Sequence, residues 1–351
     1  MELIDFLVPI KFPEIVVALV APIGTDMSAL RNTIEAELRR ANYQTKIIKV
    51  TDLLKEFDGE FDLQETPEEA RYDSYIKAGN KLRERMTRDD AFALLAIAAI
   101  AEQRFALTGS TGTPSHRTAY IVSQLKRPDE IRTLRKVYGR AFYQFSAFCP
   151  KDVRTRFLSN RIWESHGKEK AREKYIGTAS DLIARDEAED EDDSGQRVRD
   201  TFHLADFIVD ATSEESLKSS CCRSIELAFG NPFITPTREE QGIFLARAAA
   251  LRSADLSRQV GAVITDKAGE IISLGCNEVP KAHGGTYWEG DKPDWRDFKV
   301  GYDPSAKAKK ELFHDTLRRL SEADWLRSDL SAEKIDDLVE KATKGSGAPL
   351  E

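Results

Sequence analysis

A chain of 351 residues with a formal net charge of −8 is long enough for two domains, and its acidity excludes a general attraction to nucleic-acid backbones. The four cysteines have no regular spacing, and the first residues lack the basic start and long apolar core of a signal peptide. The longest apolar run, Ala91 to Ala101, is too short to cross a bilayer. These features predict a soluble, cytoplasmic protein with free thiols and no membrane partner.

The first two hundred residues alternate between strand-like and helix-like patterns. Ile15 to Val20 is a continuous apolar run of strand length, and apolar residues then recur every four positions from Leu30 to Leu38. A long helical segment from Pro67 to Leu107 is predicted to break near Thr87. Further short β-branched and aromatic runs lie at 45–50, 118–125, 141–148 and 205–211. This order predicts an α/β fold, with an open, mostly parallel sheet and helices on both faces.

The composition changes between Trp163 and Arg199, where charged residues predominate. The acidic run from Arg185 to Asp193 offers almost nothing to bury, so we interpret this segment as a solvated excursion from the fold. The alternative interpretation is a mobile lid over a nucleotide site.

A turn follows the first predicted strand, with the sequence Ala-Pro-Ile-Gly-Thr-Asp-Met-Ser at positions 21–28. A phosphate-binding loop has the pattern G-x-x-x-x-G-K-[ST], in which backbone amides cradle the phosphates and the lysine supplies positive charge. Gly24 and the hydroxyl of Ser28 match this pattern, but Asp26 stands near the position of the cation. Because a carboxylate repels a triphosphate, the turn argues against ordinary kinase or triphosphatase chemistry. The alternative is a glycine turn in which Asp26 or Thr25 caps the following helix.

A second domain is predicted to begin after the turn residues at 230–236. Thr237 and Glu240 have the spacing of a capping box, which would open the first helix of this domain. Two strands, 260–266 and 270–277, flank a Lys-Ala-Gly turn and predict a hairpin. The residues that follow are rich in glycine, proline and aromatics, which is typical of loops.

Several blocks of sequence carry a family resemblance. The turn APIGTD and the stretches 123–158 and 195–210 resemble the P-loop-kinase-like N-terminal domain of bacterial anti-phage dCTP/dCMP deaminases. The stretch 256–280, LSRQVGAVITDKAGEIISLGCNEVP, resembles the first hairpin of the cytidine and deoxycytidylate deaminase superfamily. The resemblance implies a regulatory domain at 1–230 with a degenerate phosphate loop. It also implies a partial deaminase-like α/β domain with an insertion at 235–351.

The resemblance also assigns candidate site residues. In the deaminase family the asparagine that ends this hairpin hydrogen-bonds the substrate sugar, and it corresponds to Asn277 here. Ser257 and Arg258 fall in a stretch that lines the pocket mouth in relatives, where Arg258 is expected to meet a nucleotide phosphate. The alternatives are a turn asparagine and a solvent-exposed arginine. In the first domain the expected nucleotide-binding residues are those of the degenerate phosphate loop, namely Gly24, Thr25, Asp26 and Ser28.

Cytosine deamination requires a zinc ion and a glutamate, which this family supplies through the signature H-x-E … P-C-x-x-C. None of the five histidines begins an H-x-E, and no C-x-x-C is present. We therefore predict no catalytic residue and no zinc in this chain, whereas a complete family member would carry zinc. Truncation before the zinc motif is the preferred explanation, and a zinc-free regulatory paralogue is the alternative. A metal held by His283 with His314, Asp291 or Asp294 has suitable residue types but no recognisable spacing.

Two functions of different classes follow. The first is a zinc-dependent deaminase of deoxycytidine nucleotides, dCTP or dCMP, which acts in anti-phage defence as a homo-oligomer and is regulated by the kinase-like domain. The second is a non-catalytic module that senses a nucleotide or binds a small regulatory RNA. RNA binding is favoured by six clustered basic residues, of which the last four are predicted to share a helix face: Lys126, Arg127, Arg132, Arg135, Lys136 and Arg140. The alternative for these residues is a solvated helix surface.

Overall fold

The computed structural model describes residues 12–57, 59–169, 171–188, 198–323, 325 and 332–343. The chain divides into two compact units, Met1–Ile234 and Thr235–Glu351. Each unit contains a sheet of its own.

The described strands of unit 1 are β1 (Ile15–Val20), β2 (Gln44–Lys49), β3 (Thr118–Ser123), β4 (Phe142–Phe148) and β5 (Phe207–Asp210). They form one sheet in the order β2-β3-β1-β4-β5, and every neighbouring pair is parallel. Strand β1 lies at the centre and is buried along its whole length, which explains its uninterrupted apolar sequence. The carboxyl ends of all five strands therefore lie at one edge of the sheet.

The described helices of unit 1 are α1 (Met27–Arg40), α2 (Glu68–Met86), α3 (Ala91–Thr108), α4 (Pro128–Tyr138), α5 (Lys151–Ser165), α6 (Ile176–Ala188), α7 (Val198–Phe202) and α8 (Glu214–Ala228). Alternate residues of β1 belong to two different cores, with Val16 and Val20 in one and Val17 and Leu19 in the other. Leu30 of α1 is fully buried in the second core, as its spacing predicts. Helices thus cover both faces of the sheet, and the predicted α/β fold class is confirmed.

Helix α3 is the one described helix that is long and apolar enough to cross a membrane by length and composition. It continues past the apolar run that ends at Ala101, through Arg104, whose guanidinium donates to the Glu14 carboxylate over 2.9 Å. Its residues Ala96 and Ile100 are fully buried in one of the two sheet cores. Helix α3 thus packs one face against the core of unit 1, while Phe105 and Leu107 near its end are exposed.

Helix α6 corrects the prediction of a solvated excursion between Trp163 and Arg199. Its Leu182 and Ile183 are buried in a cluster with Leu158 of α5. Apolar residues spaced on one helix face are enough to form this contact, although the high charge of the segment conceals them in the sequence. Residues 189–197, which include much of the acidic run, lie outside the described residues. The lid alternative stays a prediction.

The described elements of unit 2 are α9 (Arg238–Ala250), β6 (Gly261–Thr265), β7 (Ile271–Cys276), α10 (Asp297–Val300), α11 (Pro304–Glu322) and α12 (Ala332–Thr343). Strands β6 and β7 form the predicted antiparallel hairpin. The predicted capping box is confirmed, because the Glu240 amide donates to the Thr237 hydroxyl over 3.2 Å and the Thr237 amide donates to the Glu240 carboxylate over 2.7 Å.

The hairpin of unit 2 packs against α9 on one face. Gly261 permits this approach, because a Cβ at that position would overlap the carbonyl oxygen of Ala246. Elsewhere on the hairpin Ile264 and Ile272 are 59% and 67% exposed. Within the described residues, unit 2 therefore leaves an apolar part of its sheet uncovered.

Candidate functional site

The loop after β1 connects the central strand to α1 at the carboxyl edge of the unit 1 sheet. Gly24 in this loop has a φ of +88°, and a Cβ there would lie 2.8 Å from both the Cβ and the carbonyl oxygen of Arg154. Arg154 of α5 in turn donates to the carbonyl oxygens of Ile23 and Cys149, each over 3.2 Å. The glycine is therefore required by a close contact that fixes the loop between β1 and the end of β4.

Asp26 caps helix α1 with its own carboxylate. One Asp26 oxygen accepts hydrogen bonds from the amides of Ser28 at 3.0 Å and Ala29 at 2.9 Å. In a phosphate-binding loop these helix-terminal amides would point at the phosphate. The capping alternative is thus confirmed for Asp26, and this carboxylate takes the place that an anionic ligand would occupy.

A second carboxylate reaches the same loop from α6. Asp186 is almost fully buried, and its Oδ2 accepts a hydrogen bond of 2.7 Å from the Ile23 amide. The ammonium of Lys126 lies 3.5 Å from Asp186 Oδ1 and donates to the Ala21 carbonyl over 2.9 Å. A lysine from the β3–α4 connection therefore supplies beside the loop the positive charge that the loop lacks in sequence.

Two further loop amides are also hydrogen-bonded within the chain. The Thr25 amide donates to the Pro22 carbonyl over 3.2 Å, and the Met27 amide donates to the Thr25 carbonyl over 2.9 Å. Together with the two carboxylates, these bonds satisfy the amides of residues 23, 25, 27, 28 and 29. In this conformation the loop cannot cradle a triphosphate, because most of its donors already have acceptors within the chain.

A cavity of about 100 Å³ lies directly beside this loop. It opens between the carboxyl ends of β1, β2 and β3 and helix α2, which is the edge where open α/β sheets bind ligands. Its walls combine aromatic, cationic and amide side chains. The residues whose side chains give the cavity this character are Thr25, Thr51, Arg71, Tyr72, Tyr75, Arg83, Phe92, Gln124 and Lys126.

Three polar groups of the cavity wall can form hydrogen bonds with a ligand. Thr25 is only 5% exposed, and its hydroxyl has no hydrogen-bond partner among the described residues. The Gln124 carboxamide oxygen accepts a short hydrogen bond from the Thr51 hydroxyl, which fixes the amide plane at the end of β3. Removal from solvent raises the pKa of Tyr72 to about 12, so its phenol stays protonated and can donate a hydrogen bond. The cavity thus offers several neutral hydrogen-bonding groups to a ligand.

The cationic wall of the cavity is held by a buried ion pair. The guanidinium of Arg83 pairs with Glu130 over 3.0 Å and lies 5.1 Å from the ring centre of Phe92. Glu130 is 0% exposed and also accepts hydrogen bonds from the amides of Lys126 and Arg127. The ion pair therefore joins α2 to the start of α4 and holds Arg83, one of the three cations that line the cavity.

The Asn277 carboxamide lies at the end of the unit 2 hairpin and is bonded within that unit. Its oxygen accepts from the Ser253 hydroxyl and the Val260 amide, each at 2.8 Å, and its nitrogen donates to the Arg258 carbonyl over 2.7 Å. Three of its four hydrogen-bonding positions are thus satisfied. Its structural role is evident, and its proposed contact with a sugar stays a prediction that relies on the remaining N–H.

Ser257 and Arg258 are exposed residues of the connection between α9 and β6. Their backbone amides donate to the Asp255 carboxylate, over 2.7 and 3.0 Å respectively. This turn holds both residues close to the hairpin end that carries Asn277. Their assignment to a nucleotide pocket stays a prediction.

The described residues contain no group of three or more histidines, cysteines and acids arranged to hold a metal ion. The alternative metal site at His283 is therefore not assembled. His314 pairs instead with an aspartate of α12 over 3.1 Å. Asp294 is bonded to Arg296 over 2.7 Å, and this contact lowers the pKa of Asp294 to about 2. Asp291 similarly forms an ion pair with a neighbouring lysine.

The six clustered basic residues do not form one free stripe. Lys126 bonds to the loop after β1, as described above. Arg127 is buried and pairs with Asp89 over 3.1 Å. Arg135 donates to both oxygens of Asp206, over 2.8 and 2.9 Å. Arg140 lies beyond the end of α4 rather than on it. The predicted RNA-binding surface is thereby reduced to a few exposed side chains.

No protein-family model and no curated protein matches the sequence. Among solved structures, the chain is similar to a shikimate kinase from Bacteroides thetaiotaomicron, with 13% identity and a TM-score of 0.32 over 61% of this chain and 97% of the kinase. It is also similar to a gluconokinase from Sinorhizobium meliloti 1021, with 14% identity and a TM-score of 0.30 over 64% of this chain and 98% of that chain. The fold assignment of unit 1 rests on its own parallel sheet and helix layers.

Proposed function

We propose that unit 1 is a nucleotide-sensing domain that does not transfer phosphate. The observation that carries this proposal is the loop after β1, whose amides are bonded to Asp26, Asp186 and nearby carbonyls beside a cavity with polar and aromatic walls. Phosphoryl transfer depends on a loop that positions the phosphates and on a metal that neutralises them. A loop already engaged by carboxylates favours ligand binding without that reaction.

The walls of the cavity suit a nucleoside. Tyr72, Tyr75 and Phe92 offer aromatic surface for a planar base, and Gln124 and Thr25 offer hydrogen bonds to its edge. The cavity volume of about 100 Å³ is smaller than the roughly 300–1,000 Å³ of typical ligand clefts. We therefore place only the base of a single deoxycytidine nucleoside or monophosphate in the cavity, with the rest of the ligand outside it.

Calorimetric titration of the full chain with dCMP, dCTP and ATP tests this function. We expect saturable binding of a deoxycytidine nucleotide and no ADP formation from ATP with magnesium. Gly79→Leu should remove the binding event assigned to unit 1, because Gly79 lines the cavity and a side chain there would meet Phe92. Gly177→Leu is the matched control, since Gly177 also lies in a helix and has open space around it. Equal binding by both variants, or phosphate transfer from ATP, would contradict the proposal.

We further propose that this sensing domain serves the deamination of deoxycytidine nucleotides in anti-phage defence. The support is the resemblance of 256–280 to the deaminase hairpin, together with the hydrogen bonds that fix Asn277 at the end of that hairpin. Because the sequence lacks H-x-E and C-x-x-C, the zinc chemistry would have to come from residues outside this sequence.

Metal analysis and a deamination assay test this second proposal. The purified chain should contain no stoichiometric zinc and release no ammonia from dCMP or dCTP. It should nevertheless bind one of these nucleotides in unit 2, and Asn277→Asp should weaken that binding more than Asn231→Asp, a change at a turn asparagine of unit 1. Deamination by this chain, or an unchanged affinity in Asn277→Asp, would count against it.

A small regulatory RNA is the alternative ligand of unit 1. The exposed Lys136 and Arg140 are the basic residues of the cluster that favour it. Salt-dependent RNA binding that is lost in the double variant Lys136→Glu, Arg140→Glu would support this alternative. Absence of binding at low salt would eliminate it.

A further inference from the structure

The contact between Asp186 and the Ile23 amide occupies a site suited to an oxyanion. The Asp186 side chain is 1% exposed, and its carboxylate meets a backbone N–H at 2.7 Å and an ammonium at 3.5 Å. A buried carboxylate in such a place needs compensation by charge and hydrogen bonds, and Lys126 supplies the charge. The same donors would suit a phosphate oxygen equally well.

An independent observation points to a ligand at this position. Thr25 is 5% exposed, lines the adjoining cavity and carries a hydroxyl without a hydrogen-bond partner among the described residues. Ile23 and Lys126 line the same cavity. Thr25 therefore adds an uncommitted hydroxyl donor to the cavity that Ile23 and Lys126 also line, where it would be available to an anion that replaced the carboxylate.

We propose that the Ile23 amide, Lys126 and Thr25 form a phosphate-monoester site that Asp186 closes as an internal substitute for the ligand. The inference rests on the proposed sensing function and adds its regulation. A phosphorylated ligand competes with Asp186, and its binding releases the end of α6 from the loop. Lys126 thus supplies the positive charge that a phosphate-binding loop takes from its own lysine, although it comes from a different part of the chain.

Inorganic phosphate is the probe, and calorimetry on the full chain is the assay. Removing the competing carboxylate by Asp186→Ala should tighten phosphate binding about tenfold or more, because the apparent affinity is reduced by the fraction of open sites. Asp181→Ala is the matched control, since Asp181 is an exposed residue of the same helix and should leave affinity unchanged. Adding Lys126→Met to Asp186→Ala should remove the gain. An unchanged affinity in Asp186→Ala, or a gain that survives Lys126→Met, would overturn the proposal.

A second measurement keeps the test independent of variant folding. In the wild-type chain the Ile23 amide resonance should shift saturably with phosphate and not with chloride at equal ionic strength. A resonance that phosphate does not move would also overturn the proposal. The outcomes separate the two proposals: dCMP binding without any phosphate effect refutes only the Asp186 site. A phosphate effect without nucleotide binding refutes only the sensing function.

Discussion

Substitution of Gly24 by alanine tests how tightly the loop after β1 is held. The new Cβ would lie 2.8 Å from the Cβ and carbonyl oxygen of Arg154, closer than real Cβ atoms come to such atoms. Gly24 also has a φ of +88°, where an L-residue costs about 1–2 kcal/mol. Overpacking against Arg154 adds about 1–3 kcal/mol, so the free energy of unfolding should fall by about 2–5 kcal/mol.

Gly109 provides a matched control for the backbone contribution. It has a φ of +74° at the end of α3, and a Cβ there would meet nothing within 4 Å. Gly109→Ala should therefore cost only the backbone strain, about 1–2 kcal/mol. The difference between the two variants isolates the contact with Arg154.

Thermal unfolding of the full chain, followed by near-ultraviolet circular dichroism, measures this difference. For a domain of this size about 1 kcal/mol corresponds to about 2–4 °C, so Gly24→Ala should melt about 2–12 °C below Gly109→Ala. Equal melting temperatures would refute the close contact between the loop and α5, and with it the fixed loop conformation on which the functional argument depends.

Three further predictions concern the neighbouring contacts of unit 1. Asp26→Ala should lower stability by about 1 kcal/mol through loss of the α1 cap, whereas Asp26→Asn should retain most of it in denaturant unfolding. Arg83→Ala should lower the free energy of unfolding by about 3–5 kcal/mol, because it leaves the Glu130 carboxylate buried without its partner. A smaller loss of stability in the double variant Arg83→Met, Glu130→Leu would identify the unpaired charge as the cause. The hydrogen bond from Arg88 lowers the pKa of Asp90 in the folded protein. Ionised Asp90 therefore stabilises the fold above its unfolded-state pKa near 4, and this stabilisation is lost as the pH falls through the lower folded-state pKa. Acid unfolding of Asp90→Asn should consequently be less steep than that of the wild type, and identical profiles would contradict this assignment.

The general fold of unit 1 could be predicted because its signals are local. The apolar run of β1 and the four-residue spacing in α1 each lie within one element, and both match the structure. The capping role of Asp26 was likewise one of two local alternatives, and it is the one the structure supports. Local sequence patterns therefore predict the position of the loop and identify Asp26 as the residue that sets it apart from a phosphate-binding motif.

The composition of the site could not be predicted, because its decisive contacts are long-range. Asp186 and Lys126 reach the loop across 163 and 105 residues of sequence. In the sequence Asp186 is one of several acidic residues of a charged stretch, and Lys126 is one of six clustered cations, so neither stands out as a residue of the site. The helical spacing of Ala179, Leu182 and Ile183, which lie on one face of α6, is the signal in the sequence that this helix packs.

Hydrogen exchange of the full chain with and without dCMP tests the central claim most directly, because it locates a bound nucleotide without altering the protein. The account predicts slower exchange in the cavity segments, residues 71–83 of α2 and the loop at 21–29, and no formation of a phosphorylated product. Exchange in α2 that does not change under saturating dCMP, with protection confined to the hairpin around Asn277, would contradict a sensing site in unit 1.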